Sequence, residues 1–303
     1  MPYDTTKLVD AQNAIQQVID YLNTPVPVPI PPPVPVPPPV VTPQPVPQPP
    51  ARGLPAIQAW LGTNTLGVYV GIESVSWRAP DFAPVAENLA NMNVDYALVK
   101  FGERGPEWYD GTLADIKNEF FKRGVGMAPY LYCLPSNVAD SIAIANHMCQ
   151  VCGGVVLDCE DEWQGHDVDL ATLLNTIRTN NPNACIILSG YGDPHFRFGD
   201  NYPHHTIATS GIDGYQPQLY FGVWDVYKQS GWQAAIDWGM TDCGSVLGQN
   251  MVMQPAITCE GVVLADFAPC AAYLKRWHAS TVLWEYQLVT PEIVAECKKG
   301  LAS

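Results

Sequence analysis

The sequence is poor in positive charge. It has 15 Lys and Arg residues against 30 Asp and Glu in 303 residues, which gives a formal net charge of −15. Nucleic acids and anionic lipid surfaces are bound through clusters of Lys and Arg, and the sequence contains no such cluster. We therefore expect no nucleic-acid partner.

Long apolar runs are also missing. No stretch of about 18 apolar residues occurs, so the sequence predicts no membrane span. The start, MPYDTTKLVDAQ, lacks the cationic and apolar stretches of a secretory signal, and we expect synthesis in the cytoplasm without a signal peptide. At the same time 47% of the residues are hydrophobic and only 15% are charged. This composition allows a large buried core.

Patterns typical of cofactor and metal sites are scarce. No Gly-x-Gly-x-x-Gly follows the first predicted strand. Cys149 and Cys152 form a Cys-x-x-Cys, but no second pair completes a zinc site. The chain has nine cysteines, most of them in apolar, strand-like runs. The sequence therefore predicts no cofactor, no metal, and thiols that are buried and reduced.

Two segments precede the main domain. In residues 1–24, apolar residues recur at spacings of three and four, which predicts a short helix with a coiled-coil seam. Such a short helix is marginal alone, so we expect it to bind copies of itself or a larger assembly; the alternative is that it packs on the main domain. Residues 25–53 are rich in proline, which removes backbone donors and predicts a stiff polyproline II linker. The seam residues are Leu8, Ala11, Ile15, Val18 and Leu22.

Residues 54–303 alternate apolar strand runs with amphipathic helical patterns. Helical patterns lie between the runs, for example at Thr112–Arg123, Asn137–Cys149 and Leu170–Asn180. Eight strands with helical crossovers predict the α/β class and a (β/α)8 TIM barrel. The predicted strands are Gly67–Glu73, Tyr96–Phe101, Gly126–Tyr132, Gly154–Cys159, Cys185–Ser189, Gly214–Tyr220, Met251–Ile257 and Thr281–Tyr286.

The fourth predicted strand ends in acids. Asp158, Glu160 and Glu162 occupy alternate positions after a wholly apolar lead, so strand alternation predicts that they share a face at the carboxyl end of the barrel. Crowded carboxylates raise one another's pKa, and a carboxyl that stays protonated can act as the general acid on a glycosidic oxygen. The alternatives are a solvated acidic loop and a divalent-cation site.

Other polar and aromatic residues follow predicted strand ends. Flat indole rings stack on sugar rings, so tryptophans around the mouth would suit a glycan cleft; an ordinary packing role is the alternative for each of them. The tryptophans that follow predicted strand ends are Trp77, Trp108, Trp163, Trp224 and Trp284. The residues predicted to bind substrate are Glu73, Trp77, Tyr130, Glu162, Trp163, Gln218 and Trp284.

The barrel resembles the family-25 lysozymes, which cleave the glycan chains of peptidoglycan. Asp158-x-Glu160 resembles their fourth-strand pattern, Lys100-Phe-Gly-Glu103 resembles a second-strand motif, and the run from Gly124 to Tyr130 resembles the segment that leads into their third strand. This resemblance implies that Glu160 is the catalytic acid and Asp158 its partner. The first strand departs from the pattern, since a glutamate, Glu73, follows it where the family has an aspartate.

The same barrel has features similar to the family-18 chitinases. There the fourth strand also ends in Asp-x-Glu, a strand-six tyrosine assists the acetamido group of the substrate, and a strand-eight tryptophan forms the floor of the sugar site. Tyr220 and Trp284 match those two positions, whereas Gly153 and Val156 replace the earlier aspartates of the chitinase motif.

Two functions follow as hypotheses. The first is a glycoside hydrolase that cleaves N-acetylated glycans, above all peptidoglycan, and that is held on a phage or phage-tail-like particle by residues 1–24. The second is a non-catalytic virion or surface protein that displays a glycan-binding barrel on a stalk. The helix and stiff linker suit both, and the acidic strand end favours the enzyme.

Overall fold

Eight parallel strands form a closed barrel in the computed structural model, which describes residues 65–71, 81–103, 113–223, 231–248, 251–277 and 280–303. Each strand pairs in parallel with the next along the chain, and β1 also pairs with β8 to close the ring. The predicted (β/α)8 barrel is therefore confirmed. The strands are β1 (Leu66–Val70), β2 (Tyr96–Glu103), β3 (Gly126–Tyr132), β4 (Gly154–Asp158), β5 (Cys185–Tyr191), β6 (Gly214–Leu219), β7 (Ala256–Thr258) and β8 (Thr281–Trp284).

Helices connect the strands. Their starts follow local sequence chemistry: Thr290, for instance, precedes the last helix, and its hydroxyl accepts a hydrogen bond from the backbone N–H of Ile293 at 3.4 Å, with Pro291 at the first helical position. The helices are α1 (Ala83–Asn91), α2 (Leu113–Phe121), α3 (Val138–Cys152), α4 (Asp167–Asn180), α5 (Pro194–Phe198), α6 (His204–Thr209), α7 (Gly231–Leu247), α8 (Leu264–Lys275) and α9 (Pro291–Ala302).

The buried residues form two clusters that follow strand alternation. The larger cluster contains strand residues such as Val68 and Leu157, together with the apolar faces of the helices. The smaller one contains strand residues whose side chains point to the other face of the sheet, such as Leu98 and Val156, and it fills the barrel interior. Both faces of each strand are covered, which explains why the strand sequences are almost continuously apolar.

The bounds of β3 match the prediction, and those of the other strands differ, mostly by one or two residues. β4 ends at Asp158, one residue earlier than predicted, because a 3-10 turn begins at Asp161. β7 was expected to begin at Met251. Before Ala256 the chain makes only an isolated bridge to β6 at Met253, and Pro255, whose carbonyl oxygen accepts from Val282 of β8, has no N–H to extend the pairing with β8. The predicted end of β1 at Glu73 lies outside the described residues, as do the predicted helical and proline-rich segments of residues 1–53.

All nine cysteines lie in described parts of the chain, and all are buried and unpaired. The prediction of buried, reduced thiols is confirmed. Burial raises the pKa of Cys149 and of Cys152 to about 12, so both stay protonated thiols at neutral pH. The helices of the described ranges include no candidate for a membrane span.

Candidate active site

Asp158 is delivered to the barrel interior by β4. Helix α3 ends at Gly153, whose φ of 80° lies in the left-handed region that glycine adopts without strain, and the strand begins at the next residue. Asp158 is 2% exposed. Its Oδ2 accepts a hydrogen bond from the hydroxyl of Tyr130, and its Oδ1 accepts one from Nε2 of Gln218 at 2.9 Å. Because Gln218 belongs to β6, two strands away, the carboxyl points into the barrel.

Glu160 lies just beyond the end of the strand, at the start of the 3-10 turn Asp161–Trp163. It is partly buried, and its Oε1 accepts a hydrogen bond of 2.9 Å from the same nitrogen of Gln218 that serves Asp158. Glu162 is exposed, and its Oε1 accepts a hydrogen bond of 2.5 Å from the hydroxyl of Tyr132. The three acids thus form a gradient from buried to exposed.

Burial is the main cause of the perturbed acidities. It raises the pKa of Asp158 well above the usual range, and the neighbouring Glu160 raises it further, while the hydrogen bond from Tyr130 and the charge of Lys100 oppose the rise. Burial also raises the pKa of Glu160, aided by the charge of Glu162 and opposed by the hydrogen bond from Gln218. The sequence argument rested on repulsion between the acids, whereas desolvation is the larger effect here.

Tyr220 and Trp284 stand beside the acids. Tyr220 directly follows β6 and Trp284 ends β8, and both are partly exposed. Their ring centroids lie 5.8 Å apart with 33° between the ring planes, and the Trp284 ring also meets the edge of Tyr69 at 4.8 Å. Burial raises the pKa of Tyr220, and the charges of Asp158 and Glu160 add to the rise. Tyr220 therefore lies within electrostatic reach of the carboxyls, and Trp284 packs against it.

A buried polar network beneath the acids was not anticipated from the sequence. The hydroxyl of Tyr69 in β1 donates to Oε1 of Gln216 in β6 and lies 3.4 Å from Oγ of Ser189 in β5. Oγ of Ser189 lies 3.4 Å from Nε2 of Gln218, so the network reaches the acids. The alternation of side chains along a strand could have identified these residues, because each is a polar residue at an inward position of an apolar strand.

Trp163 was predicted to line a sugar cleft, and this is wrong. Its side chain is fully buried in the layer between the strands and the helices, and its Nε1 donates a hydrogen bond of 2.9 Å to the carbonyl oxygen of Cys133. The prediction placed the tryptophans that follow strand ends at the mouth of the barrel, whereas the 3-10 turn Asp161–Trp163 directs this indole into the layer between the strands and the helices. Trp163 is a packing residue.

Tyr130 and Gln218 were predicted to bind substrate. The structure places them beneath the acids, at 2% and 3% exposure, with their polar groups bonded to Asp158. They act on the carboxyls rather than lie open to a ligand.

Three segments that follow strands at this end lie outside the described residues. They span 72–80 after β1, 104–112 after β2 and 224–230 after β6. The predicted binding residues Glu73 and Trp77 fall in the first, and Trp108 and Trp224 fall in the other two. These residues stay predictions. Among the residues that the structure does describe, no group of three or more His, Cys, Asp or Glu side chains is placed to hold a metal ion.

Solved structures resemble this barrel in fold at low sequence identity. A domain of a thermostable chitinase from Pyrococcus furiosus gives a TM-score of 0.55 at 12% identity, covering 73% of this chain and 83% of that one. An endoglucanase from Pseudomonas stutzeri gives 0.53 at 9% identity, covering 79% of this chain and 94% of its own. A β-1,4-D-mannanase from Cryptopygus antarcticus gives 0.51 at 8% identity, covering 78% and 90%. No family model and no curated protein matches the sequence.

The fold and the site together define a class of protein. It is a (β/α)8 barrel with buried and half-buried carboxyls at the carboxyl ends of its strands, where barrel enzymes hold their reacting groups.

Proposed function

We propose that the protein is a glycoside hydrolase in which Glu160 is the general acid. The observation that carries this proposal is the pairing of Glu160 with Asp158: one amide nitrogen bonds to both carboxyls, and one carboxyl is buried while the other is partly open. Burial raises the pKa of Glu160, which favours the protonated form that an acid catalyst needs near neutral pH. The polysaccharide hydrolases among the structures of similar fold give further support.

The spacing of the two carboxyls supports a retaining reaction. Nε2 of Gln218 is 2.9 Å from an oxygen of each, so these two oxygens are separated by at most twice that distance. Inverting enzymes keep their carboxyls roughly 6.5–9.5 Å apart to admit a water molecule. Asp158 is 2% exposed and is badly placed to attack a sugar carbon itself.

An N-acetyl group on the substrate would supply the missing nucleophile. In substrate-assisted hydrolysis the acetamido oxygen attacks the anomeric carbon and a nearby carboxylate stabilises the positive charge that develops. Asp158 can serve as that carboxylate, Tyr220 can position the acetamido group, and Trp284 can stack on the sugar ring. We therefore propose N-acetylated glycans as the substrate class, and the resemblance to family-25 lysozymes favours peptidoglycan within it.

Carriage on a particle is the second part of the proposal. The apolar seam within residues 1–24 and the proline-rich residues 25–53 support an anchor and a spacer, which would hold the barrel on a phage or phage-tail-like assembly. Sedimentation of the full chain and of a variant without residues 1–24 tests this. We expect the deletion to reduce the mass of the species or to abolish partner binding, and an unchanged mass with unchanged binding would contradict the anchor.

Glu160→Gln tests the catalytic proposal. The change keeps the shape of the side chain and removes the transferable proton, so kcat on chitin oligomers or peptidoglycan should fall by about 100- to 10,000-fold. Glu162→Gln is the matched control, because Glu162 is an exposed acid two residues away, and it should retain far more activity. If the wild-type protein binds these glycans but cleaves none of them, the glycan-binding hypothesis replaces the enzyme.

A further inference from the structure

The side-chain amide of Gln218 donates hydrogen bonds to both carboxyls. Its Nε2 carries two N–H bonds and has two acceptors at 2.9 Å, Oδ1 of Asp158 and Oε1 of Glu160. The third neighbour, Oγ of Ser189, is farther away at 3.4 Å. Gln218 is 3% exposed, so water does not compete for these bonds.

We propose that Gln218 is a positioning residue that assigns the site's proton to Oε2 of Glu160. This inference rests on the proposed function for its catalytic meaning, but the location of the proton can be measured without it. Each N–H of the amide occupies one carboxyl oxygen as an acceptor, so neither of those two oxygens can readily carry a hydrogen. The proton must therefore be on either Oδ2 of Asp158 or Oε2 of Glu160.

The surroundings of Asp158 decide between them. Burial raises the pKa of Asp158. Its Oδ2, however, accepts a hydrogen bond from the hydroxyl of Tyr130, so both oxygens of Asp158 accept from a donor, an arrangement that opposes burial and favours the ionised form. In the described part of the chain no hydrogen bond reaches Oε2 of Glu160, and Glu160 is partly exposed. A proton on that oxygen meets no opposing donor and can be given to a bound glycosidic oxygen.

The other charged and titratable groups nearby do not determine which carboxyl oxygen carries the proton. Acidic neighbours disfavour ionisation and cationic neighbours favour it, but they act on the whole carboxyl, whereas a directed hydrogen bond distinguishes one oxygen from the other. These neighbours are Asp161, Glu162, Lys100, Tyr69, Tyr130, Tyr132, Tyr191, Tyr220 and Arg197.

Infrared spectroscopy of the protonated-carboxyl C=O stretch tests the location of the proton. In the wild-type protein the band of the last carboxyl to ionise should be abolished by Glu160→Gln and retained in Asp158→Asn. The opposite result, with the band lost only in Asp158→Asn, would overturn the proposal. Neither outcome depends on activity, so a protein that cleaves no glycan would refute the proposed function and leave this inference to be judged separately.

Substitution of Gln218 tests its role. Gln218→Met keeps the approximate volume and removes the donor, so the midpoint at which the band disappears should rise by about one to two pH units, the effect of losing a hydrogen bond to a charged group. Gln218→Glu has the same shape and should raise the midpoint too, which keeps the test available if the methionine variant does not fold. In an active enzyme, the alkaline limb of the kcat/KM profile should move in the same direction.

Gln254→Met is the matched control. Gln254 is equally buried and is also an amide of the barrel interior, but its hydrogen bonds go to Gln216 and Tyr96. Its substitution should leave the carboxyl midpoint unchanged. An unchanged midpoint in both Gln218 variants, or an equal rise in Gln254→Met, would show that the amide of Gln218 does not control the proton.

Discussion

Trp163→Phe should destabilise the barrel without weakening sugar binding. The phenyl ring has no N–H, so the buried carbonyl oxygen of Cys133, now bonded at 2.9 Å, loses its donor at a cost of about 1–3 kcal/mol. The smaller ring also leaves space in a fully buried position, which adds on the order of 1 kcal/mol. A total of about 2–4 kcal/mol corresponds to a fall in Tm of roughly 5–15 °C for a domain of this size.

The matched variant is Trp284→Phe, because Trp284 is partly exposed at the mouth and packs on Tyr69 and Tyr220. It should lower Tm less and weaken glycan binding more. Thermal unfolding by circular dichroism and titration with N-acetylated oligosaccharides measure the two effects. A Trp163→Phe protein with the wild-type Tm and reduced glycan affinity would refute the assignment of Trp163 to the core.

Three further results are expected. Tyr130→Phe removes a hydrogen bond that favours ionised Asp158, so the pKa of this carboxyl should rise further, as measured by NMR of labelled aspartate; an unchanged value would exclude the bond. Burial raises the pKa of Glu160 in the folded state, so stability should fall as pH rises from about 4, the unfolded value, through the folded pKa, and Glu160→Gln should flatten the plot of Tm against pH. Asp213→Ala should cost about 1–3 kcal/mol of unfolding free energy in urea denaturation, because the N–H of Ile186 and one N–H of Arg178, bonded at 2.8 and 2.6 Å, lose their acceptor, while kcat stays at the wild-type level.

The strands were largely predictable because each is buried on both faces. β3 was predicted with its observed bounds, Gly126–Tyr132, since Gly124 and Pro135 delimit an almost wholly apolar run. β7 was predicted too long. Its sequence is mostly apolar from Met251, but Pro255 has no N–H to donate to the ladder. A hydropathy pattern does not reveal that a backbone donor is missing.

The candidate site was only partly visible in the sequence. Asp158 stood out as an acid that ends an apolar strand, and the grouping of Asp158 with Glu160 required only that the chain stay at the same end of the barrel. Trp163 was misplaced because a position just after a strand end does not fix the direction of a side chain, and the 3-10 turn there directs the indole into the core. Gln216 and Ser189 were missed because the alternation argument was applied to the fourth strand alone, although both are polar residues at inward positions of apolar strands.

The nine unpaired thiols give the barrel a built-in set of reporters. They lie in or beside β3, α3, β4, β5, α7, β7, α8 and α9, so most of the ring contains at least one, whereas no cysteine precedes Cys133 in the chain. A thiol reagent can reach each of them only when its surroundings open. Pulsed alkylation followed by peptide mapping would therefore rank the segments from β3 to α9 by local stability, with no engineered label.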